Sequence, residues 1–508
     1  MNYHLEMKNI RAMSRAAEMP AAVFAVVFSI APLFGQTIPK TWDEAALSGS
    51  LLPPPFKSAN IQQVPADYYY RMPERVMFRR YPVYASGSEP AGYLQQLAQA
   101  EPERTFDPAR LKTEQAWVDA GREVFRYPIA ALPIEALPAL RGILERSGVP
   151  AARDGTYPQL TLVVPKKGTV MLGFLSCATC HTRIQPDGSA IEGGQGTVPD
   201  LLLGFGDDGA SARQFARALF RVPWLEHDPT DRIQTMSFDE INAAKTAIPL
   251  GVVGRHGTSL FSPVQIPDLI GIKDHRYLDH TGLMRHRDIG DVMRYAALNN
   301  ATAPAGMDLL ADVSGFIPLG NIRVNSENKR PAPETMERYS DTQLFALAKF
   351  LYALTPPPNP NRVSALTMQG EAVFGREGCG RCHTPPLYTS NKLTPARGFA
   401  VPEEHTRIYD IEPTVVGTDP TLAMQTRRGT GYYKVPSLRG VWYRGPFEHN
   451  GSVATLEDWF DPARLRPHYV PTGFKGFGIE KRAVPGHPFG LSLSPEDKRS
   501  LIAFLKTL

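Results

Sequence analysis

All four cysteines of the 508-residue chain fall into two copies of one motif, Cys177-Ala-Thr-Cys180-His181 and Cys379-Gly-Arg-Cys382-His383. None remains for a structural disulfide, so motif chemistry alone accounts for them. In C-x-x-C-H the two thiols form thioethers to the vinyl groups of a haem, and the adjacent histidine is held under the iron as its proximal ligand. A zinc site needs further soft ligands nearby. A redox dithiol has no use for a histidine that follows it in both copies. The motifs predict two covalently bound haem c groups, with Cys177, Cys180, Cys379 and Cys382 as attachment points and His181 and His383 as iron ligands.

Haem c is attached outside the cytoplasm in bacteria, which gives the N-terminus its reading. Lys8, Arg11 and Arg15 precede the apolar run Ala21–Phe34, and Gly35 offers a small residue for cleavage. Residues 1–35 read as a secretory signal. The run is shorter than the ~20 residues that span a bilayer, and no stable membrane span is expected after signal removal. The protein is expected to be periplasmic or secreted. Lys+Arg 55 against Asp+Glu 51 leaves +4, too weak a bias for a nucleic-acid partner.

Residues 36–112 read as a loop-rich N-terminal extension, with Pro53-Pro54-Pro55 and Tyr68-Tyr69-Tyr70. A helix is predicted from Thr113 to Phe125, with Trp117, Val124 and Phe125 on its apolar side. Ser340-Asp-Thr-Gln343 is a capping box for a helix running to Leu354. Thr355-Pro-Pro-Pro-Asn-Pro-Asn361 forbids helix and marks a boundary. The last helix opens at Ser494-Pro-Glu-Asp497 and buries Leu501, Ile502, Phe504, Leu505 and Leu508.

These elements recur. Gly121-Arg-Glu-Val-Phe125 matches Gly370-Glu-Ala-Val-Phe374, and Phe350-Leu351 with Leu354 matches Phe504-Leu505 with Leu508. Pro267-Asp-Leu269-Ile-Gly271-Ile272 matches Pro436-Ser-Leu438-Arg-Gly440-Val441, and His280-Thr-Gly282 matches His449-Asn-Gly451, at one offset of 169 (436 − 267). Ungapped agreement at several positions predicts duplication. The expected fold is mainly α: two class I cytochrome c-like domains, residues 113–354 and 362–508, joined by a Pro-rich linker at 355–361. The first carries long loop-rich insertions at 126–176 and 184–258.

Sixth iron ligands are less constrained by sequence. For the second haem the candidates are His487 in Pro485-Gly-His-Pro-Phe-Gly490, His449 and Met424. For the first, the repeat offers His280, with His275 and His286 reading as surface residues. Tyr277 and Tyr295 are either core aromatics or face the iron. Arg427, Arg428, Lys434 and Arg439 are candidate propionate partners, or solvated charges.

Residues 113–508 resemble the superfamily of bacterial dihaem cytochrome c peroxidases, MauG-type enzymes and dihaem rubber oxygenases. The resemblance is carried by Lys434-Val-Pro-Ser-Leu-Arg-Gly440 and Pro446-Phe-Glu-His-Asn-Gly-Ser-Val-Ala-Thr-Leu456. The tail Pro485-Gly-His-Pro-Phe-Gly-Leu491 and the spacing of 202 residues between motifs (379 − 177) are more similar to the rubber oxygenase branch. That likeness makes His487 the first choice to close the second haem against His383 as a low-spin electron-transfer centre. There are departures. The peroxidases' distal methionine position falls at Ala463, their inter-haem tryptophan at His280 and their distal glutamate near Asn299–Asn300. Loss of such an acid removes a proton shuttle typically worth ~10²–10⁴-fold. Tyr295 lies near the position of the aromatic residue in the rubber oxygenases' distal pocket.

The function expected is that of a haem-dependent oxidoreductase of the peroxidase type. The first haem would react with peroxide, with His280 and Tyr295 as catalytic candidates, and the second would relay electrons from a small redox protein. The alternatives are a dioxygen-activating oxygenase and a pure electron-transfer cytochrome. A MauG-like modifier of a partner protein has no specific support in the residues.

Overall fold

The computed structural model describes residues 37–53, 65–199, 213, 231–254, 260–300, 332–335, 337–426 and 429–508. The predicted signal at 1–35 and the propionate candidates Arg427 and Arg428 lie outside the described residues. From Ile38 to Leu508 the chain forms one compact unit. Among the described residues no helix is long and apolar enough to cross a membrane.

Five helices organise it: α1 (Glu114–Arg126), α2 (Ile289–Asn300), α3 (Asp341–Ala353), α4 (Ala365–Arg376) and α5 (Pro495–Leu505). Their starts follow from local chemistry. Thr113 caps α1, accepting from Ala116 N at 3.1 Å. Ser340 and Gln343 close a reciprocal capping box on α3, and Ser364 with Thr367 does so on α4. Ser494 caps α5, with Pro495 at its first position. Thr355–Asn361 is not helical, and Asn359 and Asn361 fasten this stretch to the Lys506 carbonyl at the end of α5.

Glycine decides how these helices meet. A Cβ on Gly121 of α1 would lie 1.9 Å from the Ala346 carbonyl oxygen of α3 and 2.8 Å from Phe350 Cβ. A Cβ on Gly370 of α4 would lie 1.9 Å from the Ser500 carbonyl oxygen of α5 and 2.8 Å from Phe504 Cβ. The two crossings are the same backbone-to-backbone approach, and each is flanked by an aromatic pair: Phe125–Phe350 at 5.1 Å and Phe374–Phe504 at 5.4 Å. The Gly-x-x-Val-Phe repeat is thus a packing rule: glycine at the crossing, phenylalanine one turn on.

Residues 126–176 differ from the loop-rich insertion expected. They supply three strands of a four-stranded antiparallel sheet: β2 (Ala130–Pro133), β3 (Thr156–Lys166) and β4 (Thr169–Phe174). β1 (Arg80–Tyr84), from the N-terminal extension, completes it in the order β1-β3-β4-β2. Leu162 pairs with Leu172 and Tyr81 with Leu162, and the helix Leu137–Arg146 buries Leu137, Leu140 and Leu144 beside the sheet. The extension also lends Trp42, Leu47, Tyr68, Tyr69 and Met72 to the core that holds Phe125 and Phe350.

Gly370→Ala is expected to destabilise the protein by about 1–3 kcal/mol, because the new methyl meets backbone that cannot turn aside. Gly375→Ala, in the same helix with nothing within 4 Å, should leave the thermal midpoint equal or higher. Equal melting of the two variants would refute the crossing argument.

Candidate haem-binding site

The first motif begins where β4 ends. Ser176 accepts from Thr179 N at 3.1 Å and its own N–H donates to Thr179 Oγ1 at 3.0 Å, closing the one-turn helix Cys177–Cys180. Thr179 Oγ1 donates to the Gln159 carbonyl of β3 at 2.8 Å, so the sheet sets the motif's height. The second motif is built on a helix end instead. Gly378 turns left-handed (φ 71°) after α4, and Cys379–Arg381 forms a 3-10 turn. Both motifs finish alike: His181 N donates to Cys177 O at 2.9 Å, and His383 N to Cys379 O at 2.9 Å.

Each proximal histidine has its Nδ1 bonded to a backbone carbonyl. His181 Nδ1–H donates to the Pro267 carbonyl at 3.0 Å. His383 Nδ1–H donates to the Tyr388 carbonyl at 3.1 Å. With Nδ1 as donor, Nε2 keeps the lone pair for a metal. The two repeat segments fold alike. Asp268 Oδ1 accepts from Ile270 N at 2.8 Å and Ser437 Oγ from Arg439 N at 3.2 Å. Gly271 and Gly440 are both left-handed (φ 83° and 75°), as are Asp279 and Glu448 (φ 75° and 71°). The sequence carried this repeat plainly, but only the structure gives Pro267 a role.

The four cysteines are free thiols. Burial pushes Cys177 up to about 12, and it also raises Cys379 and Cys382. A reactive dithiol has the opposite property. Cys177 packs against the core of Phe125, Met293 and Phe350, and Cys379 against that of Phe374 and Phe504. Thiols opening onto apolar walls, each beside an oriented imidazole, fit a covalently held haem.

Of the candidates for the second site, His487 is the one whose ring pairs with His383, at 6.4 Å between centroids and 52° between planes. Metal–imidazole bonds of about 2 Å on either side, plus the ring radii, fill that separation with one metal atom. Burial first, then the neighbouring His383 and Arg464, push His487 down to about 3, so it stays neutral, the form that ligates. Its Nδ1 is buried without a partner. Trp459 and Phe489 each pack 5.2 Å from the ring, and the backbone sits in the left-handed region at φ 43°. His449 is occupied elsewhere: its Nδ1 lies 2.7 Å from Glu448 Oε2 and its ring stacks on Tyr433 at 4.8 Å. Met424 is half-buried on the helix Thr421–Gln425.

Around the first site, His280 Nε2 bonds the Gln265 carbonyl at 2.8 Å. Tyr295 OH donates to Asp279 Oδ2 at 2.8 Å and packs on the core that holds Cys177. His286 uses both nitrogens, Nδ1 on the His275 carbonyl and Nε2 on Tyr352 OH. Tyr277 is a core aromatic beside Leu393 and Tyr432, its OH accepting from Asp410 N at 2.9 Å. Burial, and then Lys434 and Arg444, push His275 down to about 3. Burial, then Arg444, brings Lys434 down to about 8, and Arg444 Nε is buried without a partner. Arg444 was not singled out from sequence, whereas Arg439, which was, is exposed. A concavity of ≈ 410 Å³ beside Lys40 and Asp43 contains none of the motif residues, and its Arg287 and Arg294 are already paired to Asp291.

Residues 431–470 match the family model described as RoxA-like, cytochrome c-like. The MauG methylamine utilization protein of Methylorubrum extorquens is 26% identical over 220 residues, covering 41% of this chain and 55% of that one. A cytochrome-c peroxidase of Denitromonas iodatirespirans is 28% identical over 167 residues, covering 29% and 41%. Over these segments the chain is similar to the dihaem cytochrome c peroxidases and MauG. An uncharacterized Sinorhizobium fredii protein is 31% identical over 147 residues, 22% of this chain and 25% of its own length. The chain thus spans between a quarter and just over half the length of these relatives. A solved MauG-like protein associated with microbial copper homeostasis matches at 16% identity over 61% of this chain and 91% of its own, with a TM-score of 0.28. The cytochrome c family implies haem c as the cofactor.

Glu448 supplies a test of the second site's frame. Burial raises its carboxyl, but His449 and its backbone N–H outweigh burial, so the net shift is downward. A carboxyl depressed by folding contributes stability above its unfolded value of about 4.3, lost as pH falls through the folded value. Glu448→Gln should cost about 3–5 kcal/mol near neutral pH. It should also flatten the acid limb of a melting-temperature-against-pH series; an unchanged limb would discount the pair.

Proposed function

We propose that the chain is an exported dihaem c-type cytochrome and a haem-dependent oxidoreductase of the peroxidase type, with unequal haems. The pairing of His383 with His487 is the observation that carries this reading, because it describes one site closed on both sides. We infer that the matching helix crossings and repeat turns record a duplication, with residues 113–354 and 362–508 as the two haem domains. Bound haem supplies a redox-active iron, able to bind a small oxidant where a coordination position is open.

In this reading His181, held by the Pro267 carbonyl, presents Nε2 to the reactive haem, and His383 with His487 closes the relay haem. The hydroxyl of Tyr295 and the carboxylate of Asp279 form a hydrogen-bonded pair able to hold a proton beside the first domain's core. His280 reaches the second domain through the Gln265 carbonyl, whose own N–H donates to the His449 carbonyl at 2.8 Å. That bond supports a role for His280 between the halves rather than over an iron. Lys434 and Arg444 suit the propionate carboxylates. A small redox protein donates electrons and peroxide accepts them. The RoxA-like match over 431–470 favours a second reading, dioxygen activation at the same open site.

The denatured mass should exceed that of the processed polypeptide by two haems. Reduced protein should bind carbon monoxide at about one site per chain. His487→Ala should convert part of a low-spin spectrum to high-spin. If the reduced protein takes up no carbon monoxide and both irons are six-coordinate, the protein is an electron carrier and no enzyme. Oxidation of a reduced donor by peroxide without dioxygen separates the peroxidase from the oxygenase reading. Tyr295→Phe should alter that reactivity more than haem content.

A further inference from the structure

His487 sits on a backbone conformation that a non-glycine residue adopts only when its surroundings impose it. One side chain does much of the imposing. Arg464, in the 3-10 turn Pro462–Leu465, is fully buried. Its guanidinium donates to four backbone carbonyls: Nε to Trp459 at 2.8 Å, Nη1 to Val484 at 2.8 Å and Gly486 at 2.9 Å, and Nη2 to His487 at 2.8 Å. None of these acceptors is a carboxylate. The carbon of the guanidinium lies 5.3 Å over the Trp459 ring, the same ring that packs on His487. Val484 N returns a bond to the Arg464 carbonyl at 2.7 Å.

The loop is held from its other side as well. His487 N donates to the Val416 carbonyl at 2.8 Å, and a Cβ at Gly486 would meet Thr418 N at 2.4 Å. Residues 484–487 are therefore pressed between 416–418 and the guanidinium. A planar fork with five donors can gather three loop carbonyls and a fourth from Trp459, whereas an ammonium is a point charge that cannot span them.

We propose that Arg464 is the positioning residue for the distal side of the second site. By tying the carbonyls of Val484, Gly486 and His487 to that of Trp459, it holds the His487 imidazole opposite His383 and sets the fraction of molecules in which the site is closed. The proposal rests on the bis-histidine reading above.

The test uses the full-length holoprotein with Arg464→Lys, Arg464→Gln and, in parallel, His487→Ala. Electron paramagnetic resonance of the oxidised protein, a titration with imidazole and the midpoint potential of the second haem are the readouts. The arginine variants should keep both haems by mass and lose part of the low-spin signal of the second site. Added imidazole should restore it, with an apparent affinity raised on the order of tenfold or more over wild type, as the open fraction grows. An unchanged low-spin signal in His487→Ala would remove the bis-histidine reading itself. Loss of that signal in His487→Ala, with folded arginine variants keeping wild-type signal, potential and imidazole affinity, would overturn the positioning role alone. If Arg464→Gln does not fold, Arg464→Lys decides. If neither folds, Arg464 serves the domain as a whole and the proposal fails.

Discussion

An imidazole can offer a lone pair from one nitrogen only if the other keeps its proton, and here a backbone carbonyl holds that proton. The bond from His181 Nδ1 to the Pro267 carbonyl spans 86 residues of sequence, so the first motif has no defined ligand until the chain has returned to it. His383 Nδ1 finds its carbonyl nearer in sequence, at Tyr388. Much of the intervening chain serves that return. The left-handed glycines Gly271 and Gly440 turn the segment, and the crossings at Gly121 and Gly370 bring the flanking helices close enough to enclose it. A binding motif five residues long thereby depends on a domain.

What was legible in the sequence was local or repeated. Caps at Ser340 and Ser494 need only a hydroxyl and its neighbours three residues on, and both are found as read. The C-x-x-C-H copies and the Pro-x-Leu-x-Gly segments were visible because each occurs twice. The sheet was hidden for a physical reason. β3 is buried at six consecutive positions from Gln159 to Val164, so it lacks the alternation that marks a strand with one wet face, and such apolar runs do not distinguish strand from helix.

Arg464 was hidden for the opposite reason. Its neighbours in the sequence, Asp461-Pro-Ala-Arg-Leu465, read as a solvated turn, and its partners lie up to 23 residues away. Nothing local distinguishes an arginine that will be fully buried from one that stays in water; only the carbonyls it meets do. The same turn contains Ala463, where the resemblance places a methionine ligand. With alanine there, the turn does not ligate. It steadies the loop that brings a histidine instead.

The two halves are joined by polar groups that leave little freedom. Gln195, fully buried, donates to the Pro446 carbonyl and accepts from Gly445 N, while Arg183 reaches the Gly445 carbonyl at 3.2 Å. Lys434 N donates to the His280 carbonyl, and Thr430 Oγ1 to the Thr281 carbonyl at 2.6 Å. Each bond ties a segment near one motif to the repeat segment of the other half. Buried polar links of this kind contribute modestly when made, and breaking one leaves a desolvated group unpaired at about 1–3 kcal/mol. Sliding one half against the other would break several at once. The seam therefore fixes the separation and orientation of the two motifs.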